Sequence, residues 1–470
     1  MIIVIPLEIS VREYLPKLLL SYNILKQTNF KIIIGSYSKI FQKIQRFKNC
    51  IIIEKSISTI KENKTIQLVK DGNKILVLDE EGPISHFENF TLFSRITKKT
   101  FSKLHTYLTW GDEDKKKIFD IIKFKDKDKL KCFGHPKYEL LKKPYNSLFE
   151  NEVSKIKKKY KKFVFIPSSF SYFDSHQFQD DNAIENVYFK LFLKKYITSK
   201  RLNKEYKVQK NRIKDLKENY DVFLDLILDI SKRKKNLNFV LRPHPLQDIN
   251  KVKNRLKKKP NNLHIVYKYS VTPWIIACGY YLHSGCSSYL EALILKKRII
   301  FFIKNFYKNH NFYHKKFSTY FNNRDECQRY LLKNLDKPNS EIKIPIELKK
   351  IVKNCEKIDF NQLLTNHISK IEMKSEYQVY QKSDFLYKII LNKVISFIKN
   401  NLILKSSILS NFLKPHQLLT KDYKEKKFSK VSLKKIQNDL NKFAKIDKKN
   451  IKFQINEIGE SVFEIRKIVN

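Results

Sequence analysis

Short runs of β-branched and other apolar residues alternate with helical patterns along the first third of the chain, and this alternation constrains the fold most. Strand-like runs occupy residues 2–6, 31–35, 51–54 and 74–79, with helical segments at 11–27 and 37–47 between them. Runs that are apolar at every position are buried on both faces, which is typical of a parallel sheet covered by helices. The pattern therefore predicts a doubly wound α/β domain.

The same alternation starts again near residue 163. A Lys-rich helical segment at 151–162 leads into strand-like runs at 163–167, 238–242, 263–266, 280–283 and 298–303. We therefore predict two Rossmann-like domains that face each other across a cleft, residues 1–148 and residues 149–345. Residues 174–220 are polar with scattered aromatics and are predicted to be an insertion. Residues 346–470 are predicted to be a basic helical extension that ends in a small α+β segment.

The balance of charge is strongly basic, with 95 Lys and Arg against 47 Asp and Glu, a formal net charge of +48. The lysines are spread along the sequence, and neither a zinc-ligand spacing nor an RNA-recognition signature accompanies them. A solvated basic surface and an attraction to anionic lipid or nucleotides both stay open, and we expect no nucleic-acid partner. Residues 375–424 mix apolar groups with many lysines and are a candidate segment for peripheral contact with an anionic membrane.

Cysteine usage and hydropathy bear on the compartment. The six cysteines are scattered without a CxxC pair, which argues against a disulfide framework and against a zinc site. No apolar run approaches the ~20 residues that a spanning helix needs. The apolar start of the chain meets Glu8 and Arg12 at once, which favours a first strand over a signal peptide. We expect a cytoplasmic protein, with peripheral contact at the inner face of the cytoplasmic membrane as a further possibility.

The strongest functional cluster follows the strand-like run 280–283. It consists of Ser284, Gly285, Ser287 and Ser288, and a helical segment comes directly after it. Small residues let the backbone approach a ligand, hydroxyls donate hydrogen bonds, and a helix N-terminus attracts phosphate. Glu291, one turn into that helix, is a candidate for binding ribose hydroxyls. The alternative is a Ser-Ser N-cap without a ligand.

A second cluster, Arg242-Pro243-His244-Pro245, stands at the end of the run 238–242. The prolines fix the backbone where an arginine and a histidine leave the strand together. His244 could donate to a phosphate oxygen and protonate a leaving group, while Arg242 supplies a fixed positive charge. The alternative is a turn histidine beside a surface arginine.

A third cluster, Asp79-Glu80-Glu81-Gly82, ends a strand-like run of the first domain. A carboxylate at a strand end is well placed as a general base toward a hydroxyl, or as a nucleophile in a two-step reaction. Adjacent strand positions point to opposite faces, so only one of Glu80 and Glu81 can reach the reacting centre, and we favour Glu80. The alternative is a solvated acidic turn.

Charged residues also gather at the first strand–helix junction. Glu8, Arg12, Glu13 and Lys17 lie there, and Arg12 could clamp an anionic group of a substrate. A salt-bridged helix start explains the same residues without a ligand.

The order and spacing of these motifs resemble a family of bacterial surface carbohydrate biosynthesis proteins, glycosyltransferases of the two-Rossmann (GT-B) type. The similarity runs through most of residues 1–305 and includes IPLEISVREYLPKLLL, VLDEEG, WGDED, FGHPKYELL, FVFIPSSF, RPHP and SVTPWIIACGYYLHSGCSSYLEALILKKRII. More distantly, the acidic-acidic-Gly, His-Pro and Ser-Ser motifs are similar to those of bacterial sialyltransferases and Kdo transferases.

The resemblance implies roles for these residues. Glu80 or Glu81 would be the base or nucleophile, His244 the partner of the donor phosphate, and Ser287 and Ser288 phosphate ligands. Residues 1–148 would form the acceptor side, with Glu8, Arg12 and Glu13 near the acceptor or a donor carboxylate, and residues 149–345 the donor side. The co-substrate would be a CMP-linked sugar.

We therefore predict a glycosyltransferase that moves a Kdo-like or sialic-acid-like sugar from a CMP-linked donor to a surface polysaccharide or a lipid-linked glycan. We expect neither a cofactor nor a metal, because no Asp-x-Asp motif follows a strand of the donor side. Three alternatives stay open: a sugar-nucleotide 2-epimerase, a phosphoglycerol-type transferase of the same fold, and a non-enzymatic protein that binds anionic polymers. Inverting and retaining outcomes are equally compatible with the motifs.

Overall fold

The chain divides into two compact units. The computed structural model describes residues 1–44, 47–58, 61–82, 96–122, 127–176, 199–306, 308–337, 343–373, 378–379, 428 and 430–468. Unit 1 comprises Met1–Glu152, Lys343–Tyr380 and Phe428–Asn470, and unit 2 comprises Val153–Ile342 and Gln381–Lys427.

Unit 1 is built on one large sheet. Its strands are β1 (Ile2–Leu7), β2 (Lys31–Ser36), β4 (Ile51–Glu54), β5 (Lys74–Leu78), β6 (Thr106–Thr109), β7 (Leu130–Cys132), β15 (Phe453–Gly459) and β16 (Val462–Lys467). In the described residues they run in the order β15-β16-β2-β1-β4-β5-β6-β7. The strands from β2 to β7 are parallel, and the hairpin β15–β16 joins them antiparallel at β2. The short strands β3 (Phe47–Lys48) and β14 (Gln378–Val379) pair separately.

Helices and helical turns cover this sheet. They are α1 (Ser10–Gln27), α2 (Tyr37–Ile44), α3 (Glu62–Lys70), α4 (Lys98–Lys103), α5 (Asp112–Ile122), the 3₁₀ turns Lys127–Lys129, Pro136–Leu141 and Tyr145–Phe149, α13 (Leu348–Ile351), α14 (Phe360–Ser369) and α15 (Leu433–Ile446). Val4, Ile33, Ile52, Val77 and Tyr107 form part of the core between sheet and helices. Burial of consecutive strand residues explains why the sequence shows unbroken apolar runs.

The C-terminal residues belong to unit 1, which differs from the separate extension predicted for 346–470. Strand β16 pairs with β2 from Val462 to Ile465, so it covers an edge that would otherwise expose unpaired backbone groups. Helix α15 packs on α1, where the Tyr14 hydroxyl donates to Asp439 Oδ2 at 3.0 Å. Near α13, the Asn354 amide exchanges two hydrogen bonds of 3.0 Å with the His135 backbone. Local periodicity does not encode these long-range pairings.

Unit 2 contains a second parallel sheet. Its strands are β8 (Phe163–Pro167), β9 (Asn238–Arg242), β10 (Leu263–Ile265), β11 (Tyr280–His283), β12 (Arg298–Phe302) and β13 (Thr319–Phe321). Within the described part of the unit they run in the order β10-β9-β8-β11-β12-β13, all parallel. In the order of their appearance along the chain this is 3-2-1-4-5-6, the order of a dinucleotide-binding Rossmann sheet.

The helices of unit 2 lie on both faces of its sheet in the sequence strand–helix–strand. They are α7 (Ser199–Arg233), α8 (Ile249–Arg255), α9 (Val271–Ala277), α10 (Tyr289–Ile294), α11 (Lys308–Lys316) and α12 (Arg324–Asn334), and α6 (Glu150–Tyr160) precedes β8. Val164, Phe239, Leu282 and Ile300 belong to the core. The predicted fold class of two doubly wound α/β units is confirmed.

Two segments predicted from the sequence are described only in part. Of the insertion predicted at 174–220, residues 177–198 lie outside the described residues, and from Ser199 onward the chain forms the first part of α7. The basic stretch 375–424 lies outside the described residues except for the two residues of β14. In the part of the chain that is described, no helix combines the length and the apolar character needed to cross a bilayer.

Candidate functional site

The carboxyl ends of the strands of unit 1 carry charged residues, as the sequence predicts. In this sheet β1 lies between β2 and β4, so the strand order reverses there and a crevice for ligands is expected beside β1. Glu8 follows β1, and it forms an ion pair with Lys55, which follows β4. Glu54, the last residue of β4, accepts hydrogen bonds from Lys61 at 2.9 Å and from the Tyr37 hydroxyl at 3.3 Å. The crevice of unit 1 is therefore lined by paired charges.

Glu80, two residues after the end of β5, belongs to a buried cluster of charged side chains. Its carboxylate oxygens lie 3.1 Å from Lys17 Nζ and 3.4 Å from His135 Nε2. The same ammonium lies 3.1 Å from Glu13 Oε2 and donates to the Pro6 carbonyl at 3.0 Å. Only 3% of the Glu80 side chain is exposed. One lysine thus bridges two buried carboxylates, and this cluster fixes the start of α1 against the end of β5.

The charges in this cluster shift one another's protonation. Burial alone would raise the pKa of Glu80, but the charges of Lys17 and His135 outweigh it and hold that pKa well below its usual range. Burial raises the pKa of Glu13, against the effect of Lys17. Burial also lowers the pKa of His135, although Glu80 opposes the shift. Of the two carboxyl groups, Glu80 therefore has the lower pKa.

Glu81 is the carboxylate of the acidic turn that solvent reaches. Its side chain is 41% exposed and lies 3.2 Å from the Arg12 guanidinium. Asp79 is buried, and it accepts hydrogen bonds from the Tyr107 hydroxyl at 3.3 Å and from the Glu81 N–H at 2.9 Å. Strand β5 ends at Leu78, so the alternation of faces that favoured Glu80 over Glu81 does not extend to these residues. By accessibility, Glu81 is better placed than Glu80 to touch a substrate.

A glycine and a tryptophan shape the acidic turn. Gly82 has φ +66°, and a Cβ there would lie 2.5 Å from the Trp110 ring. The indole N–H donates to the Asp79 carbonyl at 2.7 Å. A side chain at position 82 would therefore displace the ring that fixes Asp79.

The corresponding crevice of unit 2 lies between β8 and β11, where the strand order reverses. The Ser169 hydroxyl, just after β8, donates to the Ser284 carbonyl, just after β11, at 2.5 Å. The Ser284 hydroxyl is buried and makes no hydrogen bond with any described residue. Gly285 follows with φ +86°, a left-handed conformation that glycine adopts without strain. At the expected ligand position, this loop therefore has a hydroxyl without a hydrogen-bond partner among the described residues, followed by a glycine.

The two serines after Gly285 differ from each other. The Ser288 hydroxyl lies 2.7 Å from the Tyr281 hydroxyl and 3.1 Å from Cys286 Sγ, whereas Ser287 is exposed. The helical segment after these serines begins at Tyr289 and is six residues long. The Ser288 side chain makes no capping hydrogen bond, so the side-chain cap of the alternative interpretation is not formed. A helix of this length adds little dipole.

Arg242 and His244 leave β9 beside the same loop region. Arg242 is 6% exposed, its Nη2 donates to the Tyr269 carbonyl at 2.9 Å, and its Nε has no hydrogen-bond partner among the described residues. Burial lowers the pKa of Arg242, yet a guanidinium stays charged at any physiological pH. Its guanidinium carbon lies 4.9 Å from the centre of the half-exposed Tyr267 ring. A buried positive charge with an unsatisfied donor is suited to an anionic ligand.

His244 has its tautomer fixed by the turn that follows β9. Its Nδ1 accepts a hydrogen bond from the backbone N–H of Leu246 at 3.2 Å. The backbone N–H of His244 donates to Gln247 Oε1 at 2.9 Å. A neutral imidazole that accepts at Nδ1 carries its proton on Nε2. His244 can therefore donate a hydrogen bond from Nε2, as its predicted role at a phosphate requires.

Glu291 is nearly buried on α10 and accepts a hydrogen bond from the Thr272 hydroxyl at 3.4 Å. It also helps to keep Arg242 charged through its negative field. Its predicted contact with ribose hydroxyls stays a prediction, as do the roles assigned to Glu8, Arg12 and Glu13.

Several residues of both sites were not among the predicted ones. Glu54, His135, Ser169 and Tyr267 contact predicted residues or stand at the same strand ends. The two serines directly after the strand-like run 163–167 could have indicated Ser169, because they occupy the first βα turn of the second domain. Lys17 was predicted only as part of the charged helix start, where its i,i+4 spacing from Glu13 indicates an ion pair, and its contact with Glu80 depends on the fold.

In the residues that the structure describes, no group of three or more His, Cys, Asp or Glu side chains is arranged to hold a metal ion.

Comparison with solved structures gives distant similarities. The chain is similar to MnaA of S. aureus in its UDP co-structure, with 9% identity and a TM-score of 0.45 over 78% of this chain and 95% of that one. It is also similar to UDP-GlcNAc 2-epimerase of Methanocaldococcus jannaschii in complex with UDP-GlcNAc and UDP, with 12% identity and a TM-score of 0.47 over 78% of this chain and 99% of that one. The wall teichoic acid polymerase TagF matches with 13% identity and a TM-score of 0.31 over 60% of each chain. No family model and no curated protein matches the sequence.

Proposed function

We propose that the protein is a carbohydrate-active enzyme that uses a nucleotide-sugar and transfers its sugar to an acceptor hydroxyl. The observation that supports this most is the crevice between β8 and β11, where the Ser169–Ser284 hydrogen bond, the unsatisfied Ser284 hydroxyl and Gly285 stand together. In a sheet of this strand order, that position binds the phosphates of nucleotides. We therefore assign the nucleotide part of the substrate to unit 2.

The leaving phosphate can be stabilised by residues of the chain. When the bond between the sugar carbon and the phosphate oxygen breaks, negative charge grows on the nucleotide. We assign Arg242 to the fixed positive charge, and the Ser284 hydroxyl and His244 Nε2–H to hydrogen bonds that strengthen as that charge develops. The proton on His244 Nε2 is held in place by the hydrogen bond at Nδ1, so the donor is oriented before the reaction.

The acceptor oxygen forms the new bond to the sugar and must lose its proton to a base. We assign this role to Glu81, because its side chain is exposed and Arg12 orients it. Glu80 is instead assigned a positioning role, since its two carboxylate oxygens lie 3.1 Å from Lys17 Nζ and 3.4 Å from His135 Nε2. The base takes the acceptor proton, the acceptor oxygen bonds to the sugar carbon, and the nucleotide leaves as an anion.

The CMP-linked donor predicted from the sequence is retained as part of this proposal, on the strength of the motif resemblance. A thermal-shift panel of CMP, UDP and GDP tests it, because a ligand at 100 times its Kd stabilises the folded state by about 2.7 kcal/mol. We expect the largest shift with CMP. A larger shift with UDP or GDP removes the CMP assignment, and no shift with any of the three overturns nucleotide binding.

Product analysis separates transfer from epimerisation, the first of the alternatives that the sequence leaves open. The enzyme is incubated with CMP-, UDP- and GDP-linked sugars, with and without a mixture of lipid-linked and soluble glycans. Transfer requires release of free nucleotide that increases with acceptor. Isomerised nucleotide-sugar formed without any acceptor would instead assign the epimerase reaction and overturn transfer.

A further inference from the structure

A cavity lies at the opposite end of the strands of unit 1. It has a volume of about 310 Å³ and lies where β4, β5 and β6 begin, whereas Glu54, Asp79 and Glu81 lie where β4 and β5 end. Its lining includes Asn49, Gly72, Asn73, Lys74, Lys103 and His105. The volume falls at the small end of the range of ligand sites, about 300–1,000 Å³.

The wall of this cavity is held rigidly. Gly72 has φ +80°, and a Cβ there would lie 2.1 Å from Asn49 Oδ1, so the two turns before β4 and β5 touch closely. The Asn73 side chain accepts from the Cys50 N–H at 3.0 Å and donates to the Leu68 carbonyl at 2.8 Å. These hydrogen bonds fix the turn that positions Lys74 at the first residue of β5. A cavity with preformed walls loses little entropy when a ligand enters.

The charge on the lining has one sign. Lys74 and Lys103 are the charged residues among the described ones that line the cavity, which include no carboxylate. In the described residues, neither ammonium makes a hydrogen bond or an ion pair with another side chain. By contrast, the neighbouring Lys99 on α4 lies 2.8 Å from Glu62. The two lysines of the cavity are thus available to an anion.

His105 adds a hydrogen-bonding group whose proton can move. Its Nδ1 lies 2.8 Å from the Thr106 hydroxyl, and this hydroxyl lies 2.8 Å from His367 Nε2. Because a hydroxyl has one proton, it donates to only one of these imidazoles. When it donates to His105, the proton of that imidazole is on Nε2. An anion near Nε2 favours this tautomer.

The surroundings of His105 are also strongly positive. Burial, together with smaller effects of the charges of His367, Lys74, Lys129 and Lys131, lowers its pKa to about 4. A bound anion cancels part of this field. The pKa of His105 therefore rises toward its ordinary value when the cavity is filled.

We propose that this cavity is a second ligand site that binds a phosphate monoester or diphosphate through Lys74, Lys103 and His105. The ligand is either a soluble phosphorylated compound or the phosphate head group of a lipid, since both present the same anion. Binding of an anion in this cavity does not depend on which nucleotide or which reaction is assigned to the crevice of unit 2.

The test follows pyrophosphate binding to the full-length protein by NMR of its labelled histidines, with His105 assigned through His105→Phe. Pyrophosphate is expected to move the His105 signals and to raise the pKa of that imidazole. Lys103→Ala should weaken this binding about tenfold, because it removes one charged hydrogen-bond donor. Lys98→Ala is the matched control, since Lys98 is exposed on the same helix but does not line the cavity, and it should bind as the wild type does.

Two results overturn the proposal. One is the absence of any His105 response at roughly 10 mM pyrophosphate, an affinity too weak for a site. The other is an equal loss in Lys98→Ala and Lys103→Ala, which assigns the effect to the general positive charge. The His105 signals keep this readout separate from pyrophosphate that enters unit 2.

Vesicles containing phosphatidic acid distinguish the two sources of phosphate. Sedimentation with these vesicles that Lys103→Ala reduces, and that pyrophosphate competes away, identifies a lipid head group. Pyrophosphate binding at His105 without such sedimentation identifies a soluble ligand.

Discussion

The Ser169 hydroxyl donates a 2.5 Å hydrogen bond to the Ser284 carbonyl, and this bond joins the ends of β8 and β11 across 115 positions of the sequence. Both residues stand where the strand order of unit 2 reverses. The bond holds the loop that contains the unsatisfied Ser284 hydroxyl and Gly285. The geometry of the proposed nucleotide site therefore depends on a residue from the other strand.

Ser169→Ala should weaken nucleotide binding about three- to tenfold, since a hydrogen bond of this kind contributes about 0.5–1.5 kcal/mol. Isothermal titration with the nucleotide that gives the largest thermal shift measures the effect. Ser171→Ala serves as the control, because the Ser171 hydroxyl makes no hydrogen bond with a described residue. Equal affinities for the two variants would show that the bond only supports the loop sterically.

The strand ends could be located from the sequence, but their partners could not. Periodicity and apolar runs predicted both sheets, and the rule that ligands bind at carboxyl ends of parallel strands led to Asp79, Arg242 and Ser284. The pairing of Ser169 with Ser284 joins residues from different strands of a sheet whose order must be known first. The pairing of β16 with β2 has the same origin, because it depends on which edge of the finished sheet is free.

Besides these pairings, the burial of individual side chains could not be predicted from the sequence. Glu80 and Glu81 are adjacent and chemically alike, and the alternation of a strand favoured Glu80. The structure ends β5 at Leu78 and places Lys17 against Glu80, so accessibility separates the two residues in the opposite sense. Lys17 can be recognised as the partner of Glu80 only when the distance between the two side chains is known.

Lys17→Met should lower the free energy of unfolding by about 3–5 kcal/mol, because it leaves the buried carboxylates of Glu13 and Glu80 without their shared cation. Urea denaturation at pH 7 measures this loss. Lys39→Met is the matched control: Lys39 pairs with Glu460 at the surface, and such pairs contribute at most about 1 kcal/mol. Similar losses in both variants would contradict a special role for the buried cluster.

His283→Phe should change how stability depends on pH. Burial lowers the pKa of His283 to about 3, and neither ring nitrogen has a hydrogen-bond partner among the described residues. The unfolded imidazole, with a pKa near 6.5, binds a proton that the folded one does not, so wild-type stability falls as pH drops from about 6.5 toward 3. The contribution of His283 to that slope approaches about 1.4 kcal/mol per pH unit.

Urea denaturation at several pH values between 4 and 7 tests the His283 prediction, with the pH range set by the two pKa values. The variant should lose stability less steeply than the wild type over this range, whatever its absolute stability. Parallel slopes for wild type and variant would mean that His283 takes up its proton in the folded state.

His244→Ala should reduce turnover by on the order of 10²–10⁴ if the donor that we assign to the leaving phosphate is removed with it. The half-buried side chain lies in a turn and contributes little to the core, so the thermal midpoint should stay close to that of the wild type. Release of free nucleotide from the nucleotide-sugar, with water as acceptor, provides the assay. Turnover near the wild-type value would show that the turn after β9 has only an architectural role.

Glu80→Gln and Glu81→Gln should fail in different ways. Glu81→Gln removes the exposed carboxylate that we propose as the base, so it should lower turnover by about 10²–10⁴ without a loss of stability. Glu80→Gln leaves Lys17 and His135 with a neutral partner in a buried place, so it should lower the free energy of unfolding by about 1–3 kcal/mol. Nucleotide release and urea denaturation, measured on both variants, separate the two effects. If Glu80→Gln instead abolishes turnover while its stability is unchanged and Glu81→Gln stays active, the base is Glu80, and the buried cluster must open when substrate binds.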